Sequence, residues 1–206
     1  MNTKISYIPL YVVSALLGIA VFLVFVFEKP YTFSGTVIEP PLPVEDFLLQ
    51  TANNESFRLS GQNGKITLLF FGYTSCPDVC PTTLAEFKQV YQKLGDDAQS
   101  VQFVMITADP ERDKADRVTE YVSFFNPAFI GLSGERSDLE KVWKQFSVFV
   151  EKQETNSAAG YLVSHTASVF VLDQNSNLRM TFPYGTSAND MTNDIIQLLK
   201  ENKSSG

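Results

Sequence analysis

The stretch Ile66-Thr67-Leu68-Leu69-Phe70-Phe71-Gly72-Tyr73-Thr74-Ser75-Cys76-Pro77-Asp78-Val79-Cys80-Pro81, running on into Thr82-Thr83-Leu84, decides how this chain is read. Residues 66–71 are continuously apolar apart from Thr67, the pattern of a strand covered on both faces. Leu84, Phe87, Val90, Tyr91 and Leu94 then recur at helical spacing, which predicts a helix over residues 82–94. Pro81 suits an early helical position, where its missing N–H costs little. The turn between strand and helix carries both cysteines of the chain.

Outward from this unit, residues 101–107 read as a second buried strand. Residues 117–125 and 137–146 read as helices, the latter with Ser137 as N-cap and Glu140 three residues on. Residues 168–172 and 178–182 flank a turn at 173–177, and residues 188–202 close the chain as an amphipathic helix. Upstream, residues 47–49 and 57–59 flank Ala52-Asn53-Asn54 and predict a hairpin with an Asn-rich turn. Alternation of this kind implies an α/β class with a partly parallel sheet. Strand, helix, strand, helix, hairpin and final helix is the order of a thioredoxin-like domain, expected here over residues 44–202.

The first 30 residues read differently. Residues 5–27 carry no charge, and 10–27 are dominated by Leu, Val, Ile, Ala and Phe. About 20 apolar residues in a helix cross a hydrocarbon core of about 30 Å. A cleaved signal peptide is the rival, but its apolar region is about 7–15 residues and ends in small residues. Here the run ends in Phe27-Glu28-Lys29-Pro30, so an uncleaved single-pass anchor is expected over residues 1–30. Lys4 ahead of the run favours a cytoplasmic N-terminus and an exported domain. The expected location is the bacterial inner membrane, with the domain on the periplasmic side. Residues 31–43, with Pro40, Pro41 and Pro43, read as an extended spacer. The net charge of −7 comes with no basic stripe, which excludes a nucleic-acid partner.

Cys76 and Cys80 sit just before a helix, where the dipole favours thiolate. Four residues apart on a helix, they share one face and lie within disulfide range as well as chelating range. His165, the chain's single histidine, precedes the apolar strand at 168–172. A lone histidine is commonly a structural residue. In a thioredoxin-like fold, however, this part of the chain returns beside the cysteine turn. Two thiolates and an imidazole form a soft set suited to Cu(I), and Cu(II) could add a further ligand. Structural zinc takes four protein ligands, and the chain's Cys and His total three. Catalytic zinc with an open position stays compatible with the ligand count. Haem attachment is excluded in its usual form, because no Cys-x-x-Cys-His occurs.

The segment Phe70-Phe71-Gly72-Tyr73-Thr74-Ser75-Cys76-Pro77-Asp78-Val79-Cys80-Pro81-Thr82-Thr83-Leu84 resembles the signature of the Sco/SenC family. Asp109-Pro110-Glu111-Arg112-Asp113 is similar to the family's second motif, and residues 121–134 fit its Tyr-Val…Phe-x-Pro-x-Phe-Ile-Gly-Leu-x-Gly segment. The resemblance implies a copper chaperone that assists assembly of the binuclear copper centre of cytochrome c oxidase. It implies one copper ion held by Cys76, Cys80 and His165, with the copper-bearing oxidase subunit as acceptor and an upstream copper donor or thiol reductant as further partner. Many members carry Asp directly before the histidine, where this chain has Ser164. Asp78 and Asp109 are read as helix cap and strand-end turn rather than as ligands.

Three functional classes follow. A metallochaperone needs ligand exchange and no covalent catalysis. A thiol–disulfide reductase would use Cys76 to attack and Cys80 to resolve, keeping the oxidase cysteines reduced. Against a general oxidoreductase, there is no Cys-Gly-Pro-Cys motif and no Pro in residues 155–172, where thioredoxins place a cis-proline. A sensor ranks last, since no output domain is present in the sequence.

Overall fold

The computed structural model describes residues 31–154 and 160–204, together with 13 and 16–19 upstream. The chain divides into two compact units, Met1–Thr32 and Phe33–Gly206. In the first, residues 13 and 16–19 are helical and exposed. The rest of the expected anchor lies outside the described residues, among which no helix is long and apolar enough to cross a membrane.

The second unit contains strands β1 (Thr36–Pro43), β2 (Leu48–Gln50), β3 (Ser56–Arg58), β4 (Ile66–Gly72), β5 (Val101–Thr107), β6 (Ile130–Leu132), β7 (Val150–Glu154), β8 (Tyr161–His165), β9 (Val169–Leu172) and β10 (Asn177–Phe182). Its helices are α1 (Val79–Leu94), α2 (Ala115–Ser123), α3 (Arg136–Gln145) and α4 (Ala188–Ser204). Six strands form one sheet in the order β1-β10-β9-β4-β5-β6. β4, β5 and β6 run parallel, and β9, β10 and β1 are added antiparallel.

Every residue of β4 is buried, as its unbroken apolar run requires. Alternation along the strand sends Ile66, Leu68 and Phe70 into one core and Leu69 and Phe71 into another. The first core is closed by α1, α2 and α4 through Leu84, Phe87, Val118 and Ile195. The second is closed by α3 and the β2–β3 hairpin through Trp143, Phe146, Phe47 and Leu59. The hairpin turns on Asn53 and Asn54, both at positive φ (59° and 57°), a conformation asparagine tolerates. In the β9–β10 turn the Asp173 carboxylate accepts from the backbone N–H of Asn175 and Asn177, each at 2.8 Å.

Two expectations are corrected. Residues 31–43 are no free spacer: β1 forms the outer strand of the sheet, registered Thr36↔Thr181 to Pro43↔Asn177 on β10 with a shift between Val37 and Leu42. Proline fits an edge or bulge because the missing N–H is not needed there. The domain therefore starts near Phe33 rather than Val44. The backbone N–H groups of Ser34 and Gly35 donate to the buried Asp194 carboxylate of α4, each at 2.9 Å. Ser137 is not the N-cap of α3. The N–H groups of Asp138 and Leu139 reach the Glu135 carbonyl, so the helix starts earlier, and Glu140 pairs with Arg136 instead. β7 and β8, for which the sequence carries no expectation, pair as a separate two-stranded ribbon, from Val150↔His165 to Glu154↔Tyr161, and residues 151–154 are polar throughout.

β4 and β5 end side by side, Gly72 opposite Thr107, so the segments leaving them share one end of the sheet. At its neighbour β6, Gly131 lets α2 approach: a Cβ there would lie 2.5 Å from the Val118 carbonyl carbon and 2.6 Å from the Thr119 nitrogen. Because those atoms are backbone, relief requires moving the helix. Gly131→Ala is expected to destabilise the domain by about 1–3 kcal/mol, read as a lower urea midpoint at unchanged slope. An unchanged midpoint would show that α2 shifts freely.

Candidate metal centre

The cysteine turn is built from both ends. Gly72 at the end of β4 leaves room for the sulfur that follows in α1, since a Cβ there would sit 3.0 Å from the Cys80 Sγ. Thr74 is then gripped by Asp113, whose carboxylate accepts from the Thr74 N–H at 2.8 Å and its hydroxyl at 2.6 Å. The Thr107 hydroxyl at the end of β5 donates to the same carboxylate at 3.0 Å. The Cys76 N–H donates to the Tyr73 carbonyl, and α1 begins at Val79. Asp78 occupies the N-cap position but makes no side-chain cap bond. Cys76 does that work: its Sγ accepts from the Cys80 N–H at 3.4 Å. The sulfur thus sits at the positive end of the helix.

His165 arrives from the end of β8. Its Nε2 lies 3.6 Å from the Cys80 Sγ. Its Nδ1 lies 3.1 Å from the Thr166 carbonyl oxygen, which can only accept, so Nδ1 carries the proton and Nε2 presents its lone pair. Phe70 and Tyr73 meet the imidazole edge-on at 5.9 Å and hold its plane. The donor atoms of Cys76, Cys80 and His165 all lie within 4.8 Å of one another, the one such group among the described residues. Neither Asp78, which is exposed, nor Asp109 belongs to it.

The two thiols are unequal. A hydrogen bond from the Cys80 thiol, with further help from the backbone N–H groups of Asp78 and Cys80, holds the Cys76 thiol down at about 3 against the cost of burial. The Cys80 thiol is pushed far up, by that same bond and by its complete burial. Cys76 is therefore a thiolate at neutral pH, and Cys80 keeps a proton that either Cys76 or His165 can accept. Two sulfurs and a free imidazole nitrogen at one point are a donor set that fits copper.

The family profile SCO1/SenC matches residues 37–200, nearly the whole second unit. The chain belongs to the SCO1/SenC family. A SCO2-like protein of Rickettsia conorii is 31% identical over 166 residues, covering 80% of this chain and 81% of that protein. Among solved structures, the apo Sco1 protein of Thermus thermophilus is 38% identical at a TM-score of 0.73, covering 82% of this chain and 98% of that one. The ScoI protein of Bradyrhizobium japonicum, solved with copper bound, is 34% identical at a TM-score of 0.69, covering 75% and 98%. The thioredoxin-like α/β fold expected from the element order is the fold of these SCO1/SenC relatives.

In this SCO1/SenC chain, sequence reasoning picked out the three donors and the motif at 109–113, but not what the motif does. Asp113 positions the cysteine turn. Asp109 forms the expected turn, its carbonyl accepting from the Arg112 and Asp113 N–H groups, and its buried carboxylate also takes the Arg112 guanidinium and the Tyr161 hydroxyl. Four charged residues directly behind a buried strand were the available signal. Ser164 is registered with Glu151 across the ribbon.

A lowered thiol pKa preserves the thiolate as pH falls. In the reduced, metal-free chain, iodoacetamide should modify Cys76 at nearly constant rate from pH 8 to pH 5 and slow only towards pH 3. A thiol of pKa about 8.5 would be only about 0.03% thiolate at pH 5. Cys80→Ala, which removes the main hydrogen-bond donor, should move the fall in rate to higher pH. Mass spectrometry of the alkylated peptide reads both outcomes.

Proposed function

We propose that this chain is a membrane-anchored metallochaperone that carries one copper ion on Cys76, Cys80 and His165 and delivers it to the binuclear copper centre of cytochrome c oxidase. The observation that carries the reading is the convergence of the three donor atoms within 4.8 Å. Membership of a family with copper-bound relatives supports it. The apolar, uncharged run at residues 5–27 supports the inner-membrane anchor with a periplasmic domain.

Delivery needs ligands that can let go in turn. Cys76 and His165 line a cavity of about 270 Å³ bordered by Tyr73, Pro77, Leu162 and Val163, open to an incoming thiolate or imidazole. Cys80 lies beneath, fully buried. The acceptor's ligands would thus meet Cys76 and His165 first, with Cys80 released last.

The rival reading, a reductase that keeps the acceptor's cysteines reduced, uses the same pair. Cys76 would attack a disulfide to give a mixed disulfide and a free thiol. Cys80 would then displace the second thiol and close a Cys76–Cys80 disulfide, to be reopened by an external thiol reductant. The electrostatics argue against this as the main task. Strong stabilisation of the thiolate stabilises the reduced pair, which makes it a weak reductant, and a low-pKa thiolate is a poorer nucleophile. A pair that resists oxidation is what a metal site needs in an oxidising compartment.

The deciding measurement is a Cu(I) titration of the reduced full chain against a competing chelator, alongside Cys76→Ala, Cys80→Ala and His165→Ala. One tightly bound copper, weakened by each substitution, is expected. Wild-type binding no tighter than that of the variants, with thiols that still reduce a disulfide substrate, would replace the chaperone by the reductase.

A further inference from the structure

His165 rides on an element that should not stand alone. Among the described residues, β7 and β8 pair only with each other and add no strand to the six-stranded sheet. A two-stranded ribbon is marginal in water without tertiary support. Val163 is buried on the core side, and Val150 and Tyr161 pack half-buried against the same core. Polar support comes from Lys152, which pairs with Glu111 and lies 4.6 Å from the centroid of the Tyr161 ring, and from Arg112. The Arg112 guanidinium lies over the Tyr161 ring at 3.7 Å from its centroid and reaches the Tyr73 ring at 5.8 Å. Its Nη1 donates to the Tyr161 carbonyl at 3.1 Å, and its Nε donates to one Asp109 carboxylate oxygen. The Tyr161 hydroxyl donates to the other oxygen at 2.8 Å.

These side chains are not needed for the turn that carries them, because backbone N–H groups of Arg112 and Asp113 already close it on the Asp109 carbonyl. Their reach is outward, to the first residue of β8 and to the first residue after β4. Arg112 therefore touches both the strand that ends in His165 and the segment that leads to Cys76. Only a planar, forked cation can serve two rings, a carbonyl and a carboxylate at once.

We propose that Arg112, oriented by Asp109, is the positioning residue for the third metal donor: it staples β8 against the cysteine turn so that His165 is in place before copper arrives. The inference rests on the copper-site reading. A donor held in place loses less freedom on binding, so the staple raises affinity through His165 without touching the metal.

The test uses the full chain, reduced and metal-free, as Arg112→Ala, Arg112→Lys and Tyr161→Phe, each with and without His165→Ala. Arg112→Ala should weaken Cu(I) binding about 10–100-fold against a chelator. It should cause no further loss once His165 is already alanine. Arg112→Lys should restore little, lacking the fork. Amide hydrogen exchange should quicken at residues 161–165 and stay unchanged in β4. Equal losses in both backgrounds, or unchanged affinity, overturn the staple. If Arg112→Ala also loosens β4, the milder Tyr161→Phe decides by the same criteria. Should His165→Ala alone leave Cu(I) affinity unchanged, the ligand assignment itself falls and the staple with it, whereas an effective His165→Ala with a silent Arg112→Ala removes only the staple.

Discussion

The buried carboxylate of Asp113 joins the parts of the molecule on which everything else depends. It accepts hydrogen bonds from the Thr74 N–H, the Thr74 hydroxyl and the Thr107 hydroxyl, with Arg117 at 3.7 Å offsetting its charge. Its own backbone carbonyl accepts from the Ser133 hydroxyl beyond β6. A buried carboxylate stripped of such partners is costly, so the arrangement cannot loosen one contact at a time without penalty. One residue thereby ties three strand exits together, its side chain at β4 and β5 and its carbonyl at β6, with the β4 contact two residues ahead of Cys76.

From that knot the chemistry follows by short steps. A fully buried parallel strand delivers the chain to the sheet's carboxyl end, and the helix that follows exposes unpaired N–H groups there. Ordinarily an acidic or hydroxyl side chain would satisfy them. Here the Asp78 side chain makes no such bond and the Cys76 sulfur accepts one, so a capping interaction adds to the hydrogen bond from the Cys80 thiol, the larger cause, in lowering the Cys76 pKa. The two cysteines thus belong to the rigid body of the domain. The histidine belongs to a ribbon outside the sheet, so the two halves of the site are carried by different elements.

Legibility in the sequence followed the strength of the local signal. The buried runs at 66–71 and 101–107, the hairpin at 169–182 and the closing helix stood out because apolar periodicity is what their burial demands. β1 did not, since Pro40, Pro41 and Pro43 erase strand patterning, and its place in the sheet comes from pairing with β10 more than a hundred residues away. β7 did not, because Glu151-Lys152-Gln153-Glu154 has no apolar face to bury. Cys76, Cys80 and His165 stood out as rare residue types, and the fold brings their side chains together. The work of Asp113 and Arg112 did not stand out, because their partners Thr74 and Tyr161 are 39 and 49 residues distant and only the fold brings them near.

The prolines of β1 have a bearing on how copies of this domain behave towards one another. An outer strand normally offers a row of free amide donors that a second molecule can extend into a shared sheet. Three of the eight residues of β1 have no N–H to offer, and the strand's register breaks where two of them fall. That rim of the sheet is a poor template for strand addition. Crowded copies are thus discouraged from joining edge to edge along β1, and the domain can stay dispersed while Cys76 and His165 remain reachable at the end of the sheet.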